Sequence, residues 1–195
     1  MTGTRSRTAA SSCSAGREYR LGRAFFGRPT VRVARDLLGA RLRVRDGRRT
    51  REAVLVETEA YVAHDAASHA ARGPTRRNRS MFGPPGTLYV FRIHQVVCAN
   101  LVTQVGEAVL LRAAAVPGQP PATASGPGKL CRALGITIDD DGLDAVTGRR
   151  VQLLARTSRA PEIRVGPRVG IRRAAERRLR FWVAGEPSVS RPRRT

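Results

Sequence analysis

Residues 53–61 read AVLVETEAY, an apolar, β-prone run interrupted by two carboxylates. Side chains of a strand alternate between faces, so Glu57, Glu59 and Tyr61 share one side and Val56, Thr58 and Ala60 the other. Working outward, the sequence predicts a partner strand over residues 40–45, joined to a strand over 52–61 by a turn at Asp46-Gly47. Before it, Thr30 followed by VRVARDLLG predicts a helix. Thr30 is its expected N-cap, Val31, Ala34, Leu37 and Leu38 its apolar stripe, and Gly39 its stop. Beyond it, residues 87–103 and 107–116 are β-prone and apolar. The Pro/Gly-rich stretch 117–128 runs into SGPGKLCRALG, where Pro127 suits the first helical position and Gly135 the C-terminal stop. Short strands around 151–154 and 179–184 complete the pattern. Strand outweighs helix, and no regular βα alternation calls for a doubly wound parallel sheet.

The 195 residues fit one domain with an arm. Residues 1–20 are small, polar and basic with nothing to bury, and are expected to form a disordered arm that touches phosphates. Residues 191–195 (RPRRT) are expected to be a basic tail, which leaves 21–190 as the domain. The 36 Lys and Arg against 15 Asp and Glu give a net charge of +21. That excludes an acidic, self-solvating chain and points to a polyanionic partner, nucleic acid before an anionic membrane. Lys129 is the lone lysine. GC-rich codon usage accounts for such a ratio but not for the net charge. Cys13, Cys98 and Cys131 are too few and too far apart for a disulfide framework and suit a reducing cytoplasm. His64 and His69 lack zinc-ligand spacing, so no metal is expected. GPGKLC lacks phosphate-loop spacing and no dinucleotide fingerprint is present, so no nucleotide cofactor is expected either. Asp139-Asp140-Asp141-Gly142 reads as a surface turn. No apolar run reaches the roughly 20 residues of a membrane span, and no apolar segment of a secretory leader follows the first arginines.

Two carboxylates in an apolar strand of an acid-poor protein have two readings. Either both are taken up by the many arginines, or one of them, flanked by Tyr61 and His69, acts as a general base on water. Spacing does not choose between these. His69 taken alone fits a hydrogen-bonded structural histidine as well as a catalytic one. The loop RGPTRRNRSMFGPPG carries Arg72, Arg76, Arg77 and Arg79, either as a solvated basic loop or, given the global charge, as a grip on phosphates. In TLYVFRIHQVVCANL, a period of two places Tyr89, Phe91 and Ile93 together. Core packing is expected for Tyr89, while a tip near His94 and Gln95 is a candidate wedge into a base stack.

Taken together, VETEAY (56–61), His69, RNRSMFGPPGTLYVF (77–91), CAN (98–100), AVLLRA (108–113), GPGKLCRALGI (126–136) and LRFWVAGEPSVS (179–190) form an ordered set. Over residues 22–190 this set resembles the alkyladenine (3-methyladenine) DNA glycosylase family. The resemblance implies a monomeric, single-domain α+β fold on a curved antiparallel sheet, with flanking helices and a β-hairpin that inserts into DNA. It implies hydrolysis of the N-glycosidic bond of flipped alkylated or deaminated purines (3-methyladenine, 7-methylguanine, hypoxanthine) in double-stranded DNA, as a step of base excision repair. The implied setting is the cytoplasm, on the nucleoid, with no cofactor and no membrane. Carried over by position, Glu59 is the base that activates water and Arg112 the arginine beside it. Tyr61, His69, Phe91 and Asn100 line the base pocket, with Phe91 standing where the family usually has a tyrosine. Arg72, Arg76, Arg77 and Arg79 are expected on DNA phosphates.

The hairpin departs from the family pattern. RIHQVVCAN is one residue shorter, and His94 stands where an intercalating tyrosine is expected, with Gln95 or Ile93 as alternatives after a register shift. Strand cleavage by a glycosylase calls for an amine nucleophile, and Lys129 lies in the GPGKLC helix away from Glu59, so hydrolysis without lyase activity is expected. A non-catalytic basic nucleic-acid-binding module explains the charge equally well, but not the grouping of Glu59, Tyr61 and His69.

Overall fold

In a computed structural model, which describes residues 18–191, the alternating segment around Gly47 folds as two antiparallel strands, β1 (Arg41–Asp46) and β2 (Arg49–Tyr61). The aromatic-rich segment turns back on itself as β3 (Leu88–Ile93) and β4 (Val96–Val102), and β5 (Ala108–Ala115) follows. β6 (Val151–Leu154), β7 (Ile163–Gly166) and β8 (Arg180–Val183) complete one sheet in the order β3-β4-β5-β2-β1-β6. β8 pairs with β2 and β7, every pairing is antiparallel, and the sheet curls into a half-barrel. β2 is long enough to hold β5 along one edge while β1 and then β8 share the other. β7 is a strand that the sequence does not announce.

Three short helices are present among the described residues: α1 (Arg23–Phe26), α2 (Thr30–Asp36) and α3 (Pro127–Leu134). α3 has Pro127 in its first turn and ends at Gly135 with φ 73°, a left-handed position that glycine takes without steric cost. Thr30 does not cap α2. Pro29 occupies the N-cap position, and the Thr30 hydroxyl instead bonds Thr103 Oγ1 at 2.6 Å and the carboxylate of Glu107. Asp139 and Asp140 are not a plain surface turn either. They lie in a 3-10 turn capped by Thr137, where buried Asp140 accepts from Arg150 Nε at 2.9 Å.

One face of the sheet carries the core. Leu42, Leu55, Ala60, Leu88, Val90, Leu101, Leu111 and Phe181 pack there against Val33 and Leu37 at α2, and against Leu130 and Leu134 of α3. Each fully buried Leu or Phe contributes roughly 1.5–3 kcal/mol of transfer free energy. The chain is already docked at Glu18–Arg20, within the stretch read as an arm. Arg20 bridges to Leu154, and the Glu18 carboxylate meets Arg41 at 2.8 Å and Arg43 at 3.0 Å. The arm's residues 1–17, with Cys13, and the tail's 192–195 lie outside the described residues. No helix among the described residues is long and apolar enough to cross a membrane.

Candidate active site

The opposite face of the sheet holds the polar chemistry, and two β-bulges put it there. Along β2 and β5 the partners run Leu55–Ala114, Glu57–Ala113 and Thr58–Leu111, so Val56 is an extra residue on β2 and Arg112 an extra residue on β5. Before the bulge Ala53 and Leu55 point into the core; after it Thr58 and Ala60 face α2 and the core, with Thr58 Oγ1 donating to Ala34 O at 2.8 Å. The parity flip turns Glu57, Glu59 and Tyr61 onto the other face. Without it the same strand would drive two carboxylates into the apolar core, and re-aiming side chains beside a site is what bulges do. A row of paired residues then crosses the sheet: Tyr89, Asn100, Leu110, Glu59 and Arg180.

The two glutamates, equivalent by spacing, have different surroundings. Glu57 is completely buried and takes four hydrogen bonds: its Oε1 accepts from Arg112 Nε (2.8 Å), Arg180 Nε (2.6 Å) and Ser190 Oγ (2.9 Å), and its Oε2 from Ser190 N (2.7 Å). Glu59 is equally buried but less occupied. Its Oε1 accepts from Val169 N at 2.8 Å and faces Arg112 Nη1 at 3.4 Å, and its Oε2 accepts from Tyr61 OH at 3.0 Å. Burial raises the Glu59 pKa above the ordinary glutamate value, against the opposing pull of Arg112, the Val169 N–H and the Tyr61 hydroxyl. Of the two sequence readings, uptake by arginines describes Glu57, whereas Glu59 meets a single guanidinium, that of Arg112, at 3.4 Å.

Beside Glu59 lies a cavity of about 290 Å³, at the small end of ligand pockets and suited to one ring system. Tyr61, His69, Phe91, Asn100 and Arg112 all line it. Glu59 does not reach the wall, but its three partners, Tyr61, Arg112 and Val169, do. On one side His69 packs edge-on against Phe91, ring centroids 4.4 Å apart, and its Nδ1 meets Tyr89 OH at 2.8 Å. Burial lowers the His69 pKa, which favours a neutral ring. Asn100 donates through Nδ2 to Tyr89 O at 3.0 Å. Tyr89 is core-buried as the sequence suggests, yet it also lines the cavity and orients His69. Cys98 lines the cavity too, and burial pushes its thiol up to about 11.

His94 lies outside the cavity, at the tip of a two-residue hairpin loop closed by the pair Ile93–Val96. Its φ of 51° is the positive value such loops require and histidine tolerates better than most residues. Ile93 and Val96 flank it, 48% and 45% exposed. Arg72, Arg76, Arg77 and Arg79 are all exposed on their loop. Arg72 and Arg77 line a recess of about 690 Å³ next to the cavity, together with Arg92 and Arg173; Arg76 and Arg79 do not. The loop is pinned by buried Asn78, which donates to His69 O at 2.8 Å and accepts from Thr75 Oγ1 at 2.8 Å. Among the described residues, no three His, Cys, Asp or Glu side chains gather as metal ligands.

Sequence reasoning missed Tyr89 as a cavity residue, Asn78, the Val169 N–H and Arg168 behind it. Only Asn78 left a signal, as an amide within an arginine loop that needs an internal clamp. Comparison with known proteins adds a further set of findings. Residues 24–187 match the family model described as methylpurine-DNA glycosylase. A Rhizobium etli protein named "Putative 3-methyladenine DNA glycosylase" is 45% identical over 183 residues, covering 87% of this chain and 88% of its own. Proteins of the same name from Mycolicibacterium fortuitum (45% over 186 residues; 84% of this chain, 93% of theirs) and Methanoculleus marisnigri (44% over 190; 86% and 97%) are similarly related.

Proposed function

The chain belongs to the methylpurine-DNA glycosylase family, and from that premise we propose that it excises alkylated or deaminated purines from double-stranded DNA by hydrolysing the N-glycosidic bond. The proposed substrates are 3-methyladenine, 7-methylguanine and hypoxanthine, removed in base excision repair by a monomer acting on the nucleoid in the cytoplasm. The observation that carries this reading is an under-coordinated, buried carboxylate, Glu59, one residue behind the wall of a ring-lined cavity of single-base size.

A base inside a duplex cannot reach such a cavity, so it must be flipped out, at a cost of a few kcal/mol. Tyr61, His69 and Phe91, all in the cavity wall, are the rings against which it would pack. Electron-rich rings favour cationic purines such as 3-methyladenine and 7-methylguanine, whose glycosidic bonds are already weakened. The water oxygen bonds to C1′ as the C1′–N bond breaks. The bonding pair leaves with the purine and neutralises its charge, while Glu59 takes the water proton. Arg112 faces the resulting site and Asn100 contributes its amide to purine discrimination. Neutral hypoxanthine leaves as an anion unless protonated, so it depends more on flipping and stacking. Lys129 is exposed on α3 and borders a separate groove with Pro120 and Pro187, so no lysine amine stands at the cavity to attack C1′. The proposed product is therefore an intact abasic strand.

The test is incubation with duplexes carrying a single 3-methyladenine, 7-methylguanine or hypoxanthine. Free base and an alkali-labile but unbroken strand are expected; no release from any of the three would remove the reading.

The hairpin tip is the proposed wedge, with His94 entering the gap left by the flipped base and Arg72, Arg76, Arg77 and Arg79 on phosphates. A His94→Tyr variant adds stacking area, worth about 1–3 kcal/mol per base contact. It is expected to raise hypoxanthine excision about tenfold while leaving 3-methyladenine nearly unchanged, as measured by single-turnover rates. No gain for hypoxanthine would show that the tip does not limit flipping.

A further inference from the structure

Arg168 is fully buried at its side chain, and so is its partner Asp65. Its Nη2 donates to Asp65 Oδ1 at 3.0 Å and its Nη1 to Asp65 Oδ2, a two-pronged pair. Nη1 also donates to Ala60 O at 3.1 Å and Nη2 to Ala174 O at 3.4 Å, and the guanidinium carbon sits 4.6 Å from the centre of the Tyr61 ring. One side chain thus joins the end of β2, the loop that carries His69, and the strap 167–174. Burying an ion pair is rarely a net gain in stability, so its placement needs another reason. The next residue, Val169, points its N–H at Glu59 Oε1 at 2.8 Å, and Gly170 and Ile171 form part of the cavity wall.

Resting on the glycosylase reading above, we propose that Arg168, locked by Asp65, is a positioning residue: it holds the Val169 N–H on Glu59 Oε1 and so designates Oε2 as the oxygen that accepts the proton. A carboxylate oxygen has two lone pairs. On Oε1 the Val169 N–H takes one and the Arg112 Nη1 charge stands 3.4 Å away as an ion-pair contact, whereas Oε2 has only the Tyr61 O–H and no guanidinium beside it. The same guanidinium backs the Tyr61 ring, so the strap and the aromatic wall hold their places together.

Glu59 is faced by Glu57 and Tyr61 from its own strand, Arg112 from β5, Cys98 from β4 and Arg180 from β8. Substitution at Arg168 leaves all of these in the chain and takes away the hold on the Val169 N–H, a bond that favours the ionised carboxylate. The experiment compares wild type, Arg168→Gln, Arg168→Lys and Asp65→Asn by single-turnover base release across pH, with lesion-DNA affinity and denaturant melts in parallel. Arg168→Gln is expected to lower the rate at neutral pH by about tenfold to a hundredfold and move the acid limb up by about one pH unit, with affinity retained. Asp65→Asn should move the limb the same way by less, and Arg168→Lys, which keeps charge without the fork, should recover part of the rate. An acid limb unmoved in folded Arg168→Gln, or unmoved in Asp65→Asn should the first not fold, would overturn the proposal while leaving the glycosylase reading intact. No release by the wild type would overturn both.

Discussion

Glu59→Gln is expected to lower single-turnover release of 3-methyladenine by about 10²- to 10⁴-fold, the range of a lost general base, and to leave affinity for lesion DNA within a few-fold. The substitution preserves shape. A glutamine oxygen at the Oε1 position still accepts from Val169 N–H, and the amide group at the other position still meets the Tyr61 hydroxyl, which can accept as well as donate. What is lost is the capacity to take a proton. In the wild type the rate should rise with pH as Glu59 ionises, and because burial raises its pKa the acid limb should lie above the ordinary glutamate value of about 4.3. His69, its pKa lowered by burial, should add no limb above the ordinary histidine value of about 6.5. In Glu59→Gln the residual rate should be flat over the whole range. A residual rate that kept the wild-type limb would assign the base to another group.

The strands other than β7, the helix opened by Pro127 and the grouping of Glu57, Glu59 and Tyr61 were legible in the sequence because they depend on alternation and on local caps. So was the meeting of Tyr61, His69, Phe91, Asn100 and Arg112 around one cavity, which their motifs imply and the structure brings about. What alternation cannot show is a bulge. Val56 and Arg112 look like ordinary strand residues, yet each is the extra residue that turns its neighbours over. Nor does spacing separate Glu57 from Glu59, because the difference lies in groups more than 50 residues away: Arg112, Arg180 and Ser190 for one, Val169 for the other. Backbone donors carry no residue-type signature, so the Val169 N–H was invisible in principle. Thr30 misled for a related reason. Its hydroxyl suits a helix cap, but a buried Thr103 and Glu107 compete for it and win.

Glu57→Ala should show the reverse pattern, a large loss of stability. Four hydrogen bonds converge on this carboxylate, two of them from guanidinium groups whose side chains are 9% exposed. Removing one partner of a buried ion pair strands the others without water, which costs about 3–5 kcal/mol. The denaturant midpoint should fall accordingly with an unchanged slope. Glu57→Gln should cost less but not nothing, since it keeps one acceptor oxygen and turns an amide N–H₂ toward Ser190 N or the arginines, donor against donor. Some activity should be lost as well, because the Arg112 guanidinium that stands beside Glu59 is bonded through its Nε to Glu57. Glu59→Gln, by contrast, removes a charge that the site itself disfavours, so its midpoint should be unchanged or slightly raised, as is common when a strained active-site group is neutralised. The pair of variants is thus a crossed test of roles. Stability should follow Glu57 and proton transfer Glu59, and a melt that fell for Glu59→Gln while Glu57→Ala stayed firm would exchange the two assignments.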